Sequence, residues 1–408
     1  MIKNLPRRHL LAALLISLSA SFLLCGYELI RSSSNTLYKV AYGINAFPIV
    51  MAIMPIGVFI AIYLYGKILT ALGPSRTLSL TTLLSGVFFL VAYFFIQRGS
   101  HLMTGVLYIF REAYVILIIE QYWSFLNSTL NNSSAKKLNG PIVGISSFGA
   151  IAGGLLLNHF AESFGTVTML LFASVTMIPC AIFSMLAYRA CGEPIPEGGL
   201  QEKHGALAID LFRRSPLLTL LFIVMVTQVL STVLTLRFQG MLELEIPNPD
   251  TQTAYSGGFF ALLNGVATFF QFIVTPLFLR YLPLFIIHAG IPILHAIAVG
   301  VLVYNPSLFT AATALLVFKV FDYSLFRAAK ELLYIPLSFD ARYRTKEVID
   351  TFGYRFSKGG TSLGLLFLGK AGFLLSTLYS WIAFGSTLLW LLLVFPLIRH
   401  YGPLKQTR

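Results

Sequence analysis

Ionisable side chains interrupt two long apolar stretches of the chain. The fourth such stretch holds Arg111, Glu112 and Glu120, and the tenth holds Lys319 and Asp322. A charge in the middle of a membrane costs at least about 2.5–3.5 kcal/mol, so each of these residues needs a polar surrounding. Guanidinium and ammonium groups bind anions, and a carboxylate can balance a cation or carry a proton. The pattern therefore predicts a water-filled cavity that takes an anionic ligand.

The tenth stretch also places two lysines at helical spacing. Lys319, Tyr323, Phe326 and Lys330 follow one another at intervals that bring them to one face of an α-helix. Two ammonium groups with aromatic rings between them suit a polyanion that carries a flat ring. The alternative is that Lys319 and Asp322, three positions apart, only neutralise each other.

Two further cations border apolar stretches. Arg31 follows Glu28 at the end of the first stretch, and Arg237 ends the seventh. We expect both arginines to face the same cavity and to bind the substrate. Arg111 and Glu112 are adjacent, so their side chains point about 100° apart on a helix. We therefore expect these two residues to have separate partners.

The composition identifies the elements that must position these residues. Of the 408 residues, 57% are hydrophobic and only 11% are charged. A soluble domain carries about 25% charged residues, so the chain is not a soluble globule. Open strands cannot cross a bilayer, because each unpaired backbone group in hydrocarbon costs several kcal/mol. We therefore expect an all-α integral membrane protein.

The apolar runs of helical length predict twelve transmembrane helices. Their predicted bounds are 9–30, 46–69, 77–97, 102–127, 139–160, 165–189, 215–237, 255–279, 282–303, 306–334, 348–374 and 377–399. The polar, Pro- and Gly-containing segment 190–214 then separates an N-terminal six-helix bundle (1–189) from a C-terminal one (215–408). The separation along the sequence is nearly the same for two pairs of cations, Arg31 with Arg237 and Arg111 with Lys319. Either a duplicated six-helix unit or chance would give this spacing.

The distribution of the basic residues predicts the orientation of the chain in the membrane. With twelve spans, most of the 29 Lys and Arg residues fall on the side of the two termini. The positive-inside rule then predicts that both termini are cytoplasmic. No transit peptide precedes the first span, so we expect a multi-pass protein of the bacterial cell inner membrane.

Several classes of function are disfavoured by the sequence. It contains no pairing of a nucleophile with a base, no Walker motif and no metal-ligand spacing, so we expect neither an enzyme nor a bound cofactor or metal. The net charge of +13 is scattered over short loops, which is not typical of a nucleic-acid partner. The expected partners are the lipid bilayer and a small anionic metabolite, and we expect a monomer.

Two resemblances add to this interpretation. The segment with Gly66, Gly73 and Arg76 resembles the cytoplasmic loop motif of the major facilitator superfamily, whose first helix in each three-helix bundle lines the cavity. A second resemblance is to the TLC-type ATP/ADP translocases, the nucleotide transporters of rickettsiae, chlamydiae and plastids. It rests on Tyr323 to Phe326, Lys330-Glu331, Tyr334 to Leu337, Lys346, Ile349-Asp350, Lys358 to Gly360, Phe110 to Glu112 and Leu29 to Leu37.

The resemblance to the translocases implies a major facilitator-like carrier that exchanges nucleotides. It implies an acidic functional residue at Glu112, an arginine at Arg31, and signature residues at Lys330, Lys346, Asp350 and Lys358. Ser34 stands where these proteins have a lysine, and an acidic residue is missing near Val233. Both departures concern the substrate site.

The leading hypothesis is a secondary transporter that moves a phosphorylated anion, such as ATP or ADP in antiport, by alternating access. The expected substrate-binding residues are Arg31, Arg111, Glu112, Arg237, Lys319, Asp322, Tyr323 and Lys330, and the expected gating residues are Lys346, Asp350 and Lys358. One alternative is a proton-coupled carrier of another metabolite, with Glu112 or Asp322 as the proton site. Another is a sensor or assembly protein that does not transport.

Overall fold

The computed structural model describes residues 7–129, 132–192, 217–334, 349 and 353–401. Every regular element within these ranges is a helix, as the composition predicts. Ten of the described helices are long and apolar enough to cross a membrane, so the predicted count of twelve is not confirmed. Two predicted spans run together in one long helix, and another is described over only 17 residues.

The helices divide between two compact units. The first comprises Met1–Leu200 and Ile246–Gly265, and the second comprises Gln201–Glu245 and Val266–Arg408. The first five helices are α1 (Arg7–Tyr42), α2 (Phe47–Gln97), α3 (His101–Thr129), α4 (Asn132–Phe164) and α5 (Met169–Cys191). The others are α6 (Leu217–Glu245), α7 (Pro249–Phe269), α8 (Thr275–Tyr281), α9 (Leu284–Tyr304), α10 (Leu308–Phe321), α11 (Arg327–Leu333), α12 (Tyr354–Lys370) and α13 (Leu375–Tyr401).

Helix α1 extends well past its predicted end at residue 30. The polar run from Ser32 to Thr36 is buried and remains helical to Tyr42. Ser33 shows why, because its hydroxyl donates to the Leu29 carbonyl at 2.7 Å, one turn earlier. Polar side chains that bond within their own helix can enter a buried position without breaking it. Arg31 therefore lies inside a helix and not at its end.

Helix α2 contains a sharp bend where the sequence predicts a loop. Gly73 has φ 76° and ψ 168°, a backbone conformation that glycine adopts without steric cost, and Pro74 follows. Thr77 donates its hydroxyl to the Gly73 carbonyl at 2.7 Å, and Gln121 of α3 donates to the Pro74 carbonyl at 3.2 Å. The predicted second and third spans are thus two arms of one bent helix.

Glycines allow α4 to pack closely within the first unit. A Cβ at Gly149 would meet the backbone of Ser21 on α1. A Cβ at Gly154 would lie 2.7 Å from the Gly257 carbonyl oxygen on α7. Small residues let helix backbones approach in this way.

The second unit contains π-helical turns. Residues Phe270–Val274 form one such turn between α7 and α8, and Asp322–Phe326 form another between α10 and α11. The two turns pack against each other, with the rings of Phe270 and Phe321 5.3 Å apart. Turns of this kind insert a residue into the helical repeat and are frequent at functional sites.

Candidate functional site

Arg111 is bound by the polar run of α1. Its Nη1 donates to the Arg31 carbonyl at 2.7 Å, to Ser34 Oγ at 2.8 Å and to Asn35 Oδ1 at 2.5 Å. The guanidinium also lies 4.0 Å from the centre of the Tyr108 ring. Arg111 is 4% exposed, so the network is shielded from water. Ser34, where a lysine was expected from the family pattern, serves as an acceptor for this arginine.

Arg111 and Glu112 form an ion pair. Arg111 Nε lies 3.3 Å from Glu112 Oε1. The prediction that the two residues have separate partners is therefore wrong, because the guanidinium is long enough to reach back to its neighbour. Glu112 remains more accessible than Arg111, with 18% of its side chain exposed against 5%.

Arg31 belongs to a second charged cluster of the first unit. It pairs with Glu28, one helical turn earlier on α1. Asn264 of α7 donates to the other oxygen of Glu28 at 3.0 Å. The guanidinium of Arg31 also lies 3.5 Å from the centre of the Phe260 ring, which provides a cation–π contact. Arg31 is thus held by an acid from its own helix and a ring from α7.

Lys39, which lies on α1, is a further buried cation of the first unit. Its ammonium donates to Gln252 Oε1 at 2.7 Å, and Gln252 donates in turn to the Ile246 carbonyl at 2.7 Å. Sequence reasoning missed Lys39, Gln252, Phe260 and Asn264. The buried polar run of α1 was a usable signal for this region, but Phe260 looks like any other lipid-span aromatic residue.

Lys319 of the second unit has a neutral partner. Its ammonium donates to Ser231 Oγ on α6 at 2.8 Å. The same ammonium lies 5.3 Å from the Tyr323 ring centre and 5.5 Å from that of Phe318. Lys319 and Asp322 do not form an ion pair, so the alternative of mutual neutralisation by direct contact is wrong. Ser231 is two residues from Val233, where the expected acid is missing.

The predicted common face of the tenth stretch is interrupted. Tyr323 is 41% exposed, whereas Phe326 is fully buried, with its ring 5.0 Å from that of Trp390. Lys330 is also buried, and its ammonium lies 5.1 Å from the Tyr354 ring centre. The π-turn between Lys319 and Lys330 changes the helical register, so the α-helical spacing assumed for these residues does not hold.

Arg237 and Asp322 are two charged groups of the second unit that are buried and only partly hydrogen-bonded among the residues that the structure describes. Arg237 is buried on α6, and its Nε has no hydrogen-bond partner among these residues. Asp322 is 8% exposed, and its Oδ1 likewise has no partner in the described part of the chain. Buried polar groups are usually paired, so the guanidinium of Arg237 suits an anionic ligand, whereas the carboxylate of Asp322 would repel one.

The remaining predicted residues lie towards the end of the chain. Lys358 is half-buried on α12. Lys346 and Asp350 fall outside the described residues, so their predicted gating role stays a prediction. Among the described residues no group of three or more His, Cys, Asp or Glu side chains is placed to hold a metal ion.

Solved structures that match over nearly the whole chain identify the fold. The chain is 10% identical to the nucleoside transporter NupG, with a TM-score of 0.69 over 96% of this chain and 99% of that one. For the POT family transporter PepTSo the identity is 12% and the TM-score 0.68, over 97% and 99%. For the xylose transporter XylE from E. coli the values are 14% and 0.61, over 97% and 97%. The chain therefore shares the fold of these three transporters.

The family comparison is more specific. Residues 208–401 match the model of the TLC ATP/ADP transporter family, which confirms the predicted family resemblance over that part of the chain. No curated protein sequence matches the chain.

Proposed function

We propose that the protein exchanges a phosphorylated anion, and specifically a nucleotide such as ATP or ADP, across a bacterial inner membrane. The observation that carries this proposal is the set of partners around the Lys319 ammonium. Its ammonium is held by a neutral hydroxyl beside two aromatic rings, so its positive charge is available to a ligand. The family match over residues 208–401 supports a nucleotide as that ligand.

Charge balance assigns different roles to the two units. In the first unit Arg31 and Arg111 each pair with a carboxylate. In the second unit Lys319 and Arg237 form no ion pair within the described residues. We therefore assign the phosphate contacts to Lys319 and Arg237, and a role in positioning α1 to Arg111 and Glu112.

Tyr323 is the candidate for stacking on the base. Its ring is 41% exposed and lies beside the ammonium of Lys319. A nucleotide presents a flat ring at a fixed distance from its phosphates, so a cation next to an accessible aromatic ring matches both parts. The substitution Tyr323→Leu would weaken nucleotide binding while leaving inorganic phosphate unaffected.

Transport into proteoliposomes tests the proposal. Vesicles loaded with unlabelled ATP or ADP are placed in labelled ATP, ADP or inorganic phosphate, and counterflow is measured. We expect the wild type to exchange nucleotide. Each of Lys319→Ala and Arg237→Ala should reduce apparent affinity about tenfold to hundredfold, as expected for loss of a hydrogen bond to a charged group.

Exposed cations provide matched controls. Arg98 and Lys370 are exposed, so Arg98→Ala and Lys370→Ala should leave counterflow at the wild-type level. If the wild type exchanged no phosphorylated anion, or if Lys319→Ala behaved like Lys370→Ala, the proposed function would be rejected.

A further inference from the structure

Asp322 is a buried carboxylate inside a membrane-spanning segment. It opens the π-turn Asp322–Phe326, within the candidate span Leu308–Leu333. Only 8% of the residue is exposed, and Oδ1 has no hydrogen-bond partner among the described residues. Nothing in the anion-binding role explains an acid at this position, because a negative charge repels a phosphate.

The surroundings of Asp322 are otherwise cationic or apolar. The titratable or charged residues of its own helical stretch and of the packed elements α9, α10 and α11 are Lys319, Tyr323, Arg327, Lys330, Glu331, His288, His295 and Tyr304. The charges of Lys319, Lys330 and Arg327 act on Asp322. The packed π-turn Phe270–Val274 contains no titratable side chain.

The histidines of α9 pack against aromatic rings, and neither ring nitrogen of His295 has a hydrogen-bond partner among the described residues. The His295 ring lies 5.4 Å from both Phe318 and Trp390, and the His288 ring lies 6.4 Å from Phe326. Both histidines are buried. Within the described part of this region, Asp322 is thus the acid that is buried without an ion-pair partner in direct contact.

A buried carboxylate of this kind can be ionised or protonated, and the two forms affect anion binding differently. When ionised, it bears the cost of a desolvated, unpaired charge and cancels part of the field of Lys319. When protonated, it loses that cost and leaves the charge of Lys319 fully available to an anion. Binding of a proton and binding of an anion therefore favour each other, and this coupling is reciprocal.

We propose that Asp322 is a proton-coupling site, which takes up one proton when the anion binds and releases it when the anion leaves. This inference rests on the proposed function, since the anion is the cargo bound near Lys319. The proton comes from the aqueous phase on the loading side and forms an O–H bond with a carboxylate oxygen. That bond breaks again on the side of release, so one proton crosses with each anion.

Two transport assays separate this inference from the proposed function. Net uptake of labelled nucleotide is driven by an imposed pH gradient, acid outside, and counterflow is measured at equal pH on both sides. We expect the wild type to perform both reactions. Asp322→Asn mimics the protonated state, so it should retain counterflow and reduce gradient-driven accumulation to the level without a gradient.

The affinity for the anion provides a second measurement. In the wild type, binding should weaken from acid to alkaline pH by about 5- to 150-fold, the usual size of coupling between two sites. Asp322→Asn should bind as tightly as the acid form of the wild type at every pH. The matched control is Glu120→Gln, which neutralises an exposed carboxylate of α3 and should behave as the wild type.

Infrared difference spectroscopy of the purified protein between acid and alkaline buffers tests protonation without transport. We expect a band from a protonated carboxyl that is absent in Asp322→Asn and present in Glu120→Gln. If the band persists in Asp322→Asn, the inference is overturned, whatever the cargo. Wild-type counterflow without any response to the pH gradient, or with a response to a sodium gradient alone, would also overturn it and leave the proposed exchange intact.

Discussion

Arg111 shows how a cation in a membrane can act on the protein itself. Its Nη1 reaches acceptors on two turns of α1, and its Nε pairs with Glu112. Removal of one partner from a buried ion pair is strongly destabilising, because it leaves the other charge buried and uncompensated. Arg111 therefore fixes α3 to α1 and determines where the polar run of α1 lies.

The cost of breaking this network is the first expected effect at the residue scale. Arg111→Ala leaves Ser34, Asn35 and Glu112 without their cation, and loss of one member of a buried ion pair costs about 3–5 kcal/mol. We expect a large fall in the melting temperature of the detergent-solubilised protein. Lys319→Ala removes one bond to Ser231 and should change the melting temperature much less. Equal losses for the two variants would contradict the assigned roles.

Two serines of α1 allow a finer comparison. Ser34 accepts a hydrogen bond from Arg111, while the hydroxyl of Ser32, also fully buried, has no partner among the described residues. We expect Ser34→Ala to destabilise the protein by about 1.5–3 kcal/mol, the value for a bond to a charged group. Ser32→Ala should be neutral or slightly stabilising. Thermal unfolding of both variants and the wild type in one detergent provides the measurement.

At the scale of elements, the first unit depends on close helix crossings. Gly154 of α4 and Gly257 of α7 face each other where the two helix backbones are in contact. Rotation of a side chain cannot move these backbone atoms away. A Cβ at Gly257 would lie 2.8 Å from the Gly154 carbonyl oxygen and 2.8 Å from the Asn158 nitrogen. Helices α4 and α7 can therefore keep this distance only while both positions lack side chains.

Substitution of either glycine should separate the two helices. Gly154→Ala should destabilise the protein by about 1–3 kcal/mol, which is the usual cost of overpacking. A Cβ at Gly290, inside α9, would meet nothing within 4 Å. Gly290→Ala should therefore be neutral or more stable by up to about 1 kcal/mol, because alanine restricts the unfolded chain. A melting temperature that falls equally in both variants would refute the packing argument.

The elements also show what the sequence could predict. The apolar runs locate the helices because lipid-facing and core-facing residues are both apolar in a membrane protein. The ends of the helices were harder to predict. The polar run Ser32–Thr36 was expected to follow the first span, but it is buried and helical. The residues around Gly73 were likewise predicted to form a loop, and they form a bend within α2. Hydropathy reports the transfer of a residue into lipid, but it does not report burial of a polar residue within protein.

The site was predictable in part. Charges inside apolar runs identify Arg111, Glu112, Lys319 and Asp322, because such residues need a reason to be there. Their partners were not predictable, since Asn35 and Ser231 are polar residues of ordinary appearance. The register of Tyr323 was also missed, because a π-turn has no signature in residue spacing.

At the scale of the whole molecule, the protein presents large apolar side chains to its surroundings. Exposed examples along the candidate spans are Phe59, Phe94, Leu155, Ile297 and Leu392. Such a surface requires lipid, and the ten candidate spans supply the length to cross it. The orientation follows from the basic residues and stays a prediction.

Cysteine accessibility tests that orientation. Lys67 and His101 are both exposed; Lys67 lies shortly before the bend of α2, and His101 begins α3 after the second arm. In a Cys191→Ser background, Lys67→Cys should react with a membrane-impermeant maleimide only after the cytoplasmic side is opened. His101→Cys should react in intact cells. The reverse pattern would place both termini outside the cytoplasm.

The π-turn Asp322–Phe326 has a consequence for how the second unit can change shape. One residue corresponds to about 100° of rotation in an α-helix. If this turn tightened to α-helical geometry, α11 would rotate about its axis by roughly that angle relative to α10, without unwinding either helix. Lys330 would then leave the Tyr354 ring while Lys319 kept its place. A change from π-helical to α-helical geometry at Asp322 is thus sufficient to change which side chains of α11 face its neighbours in the second unit.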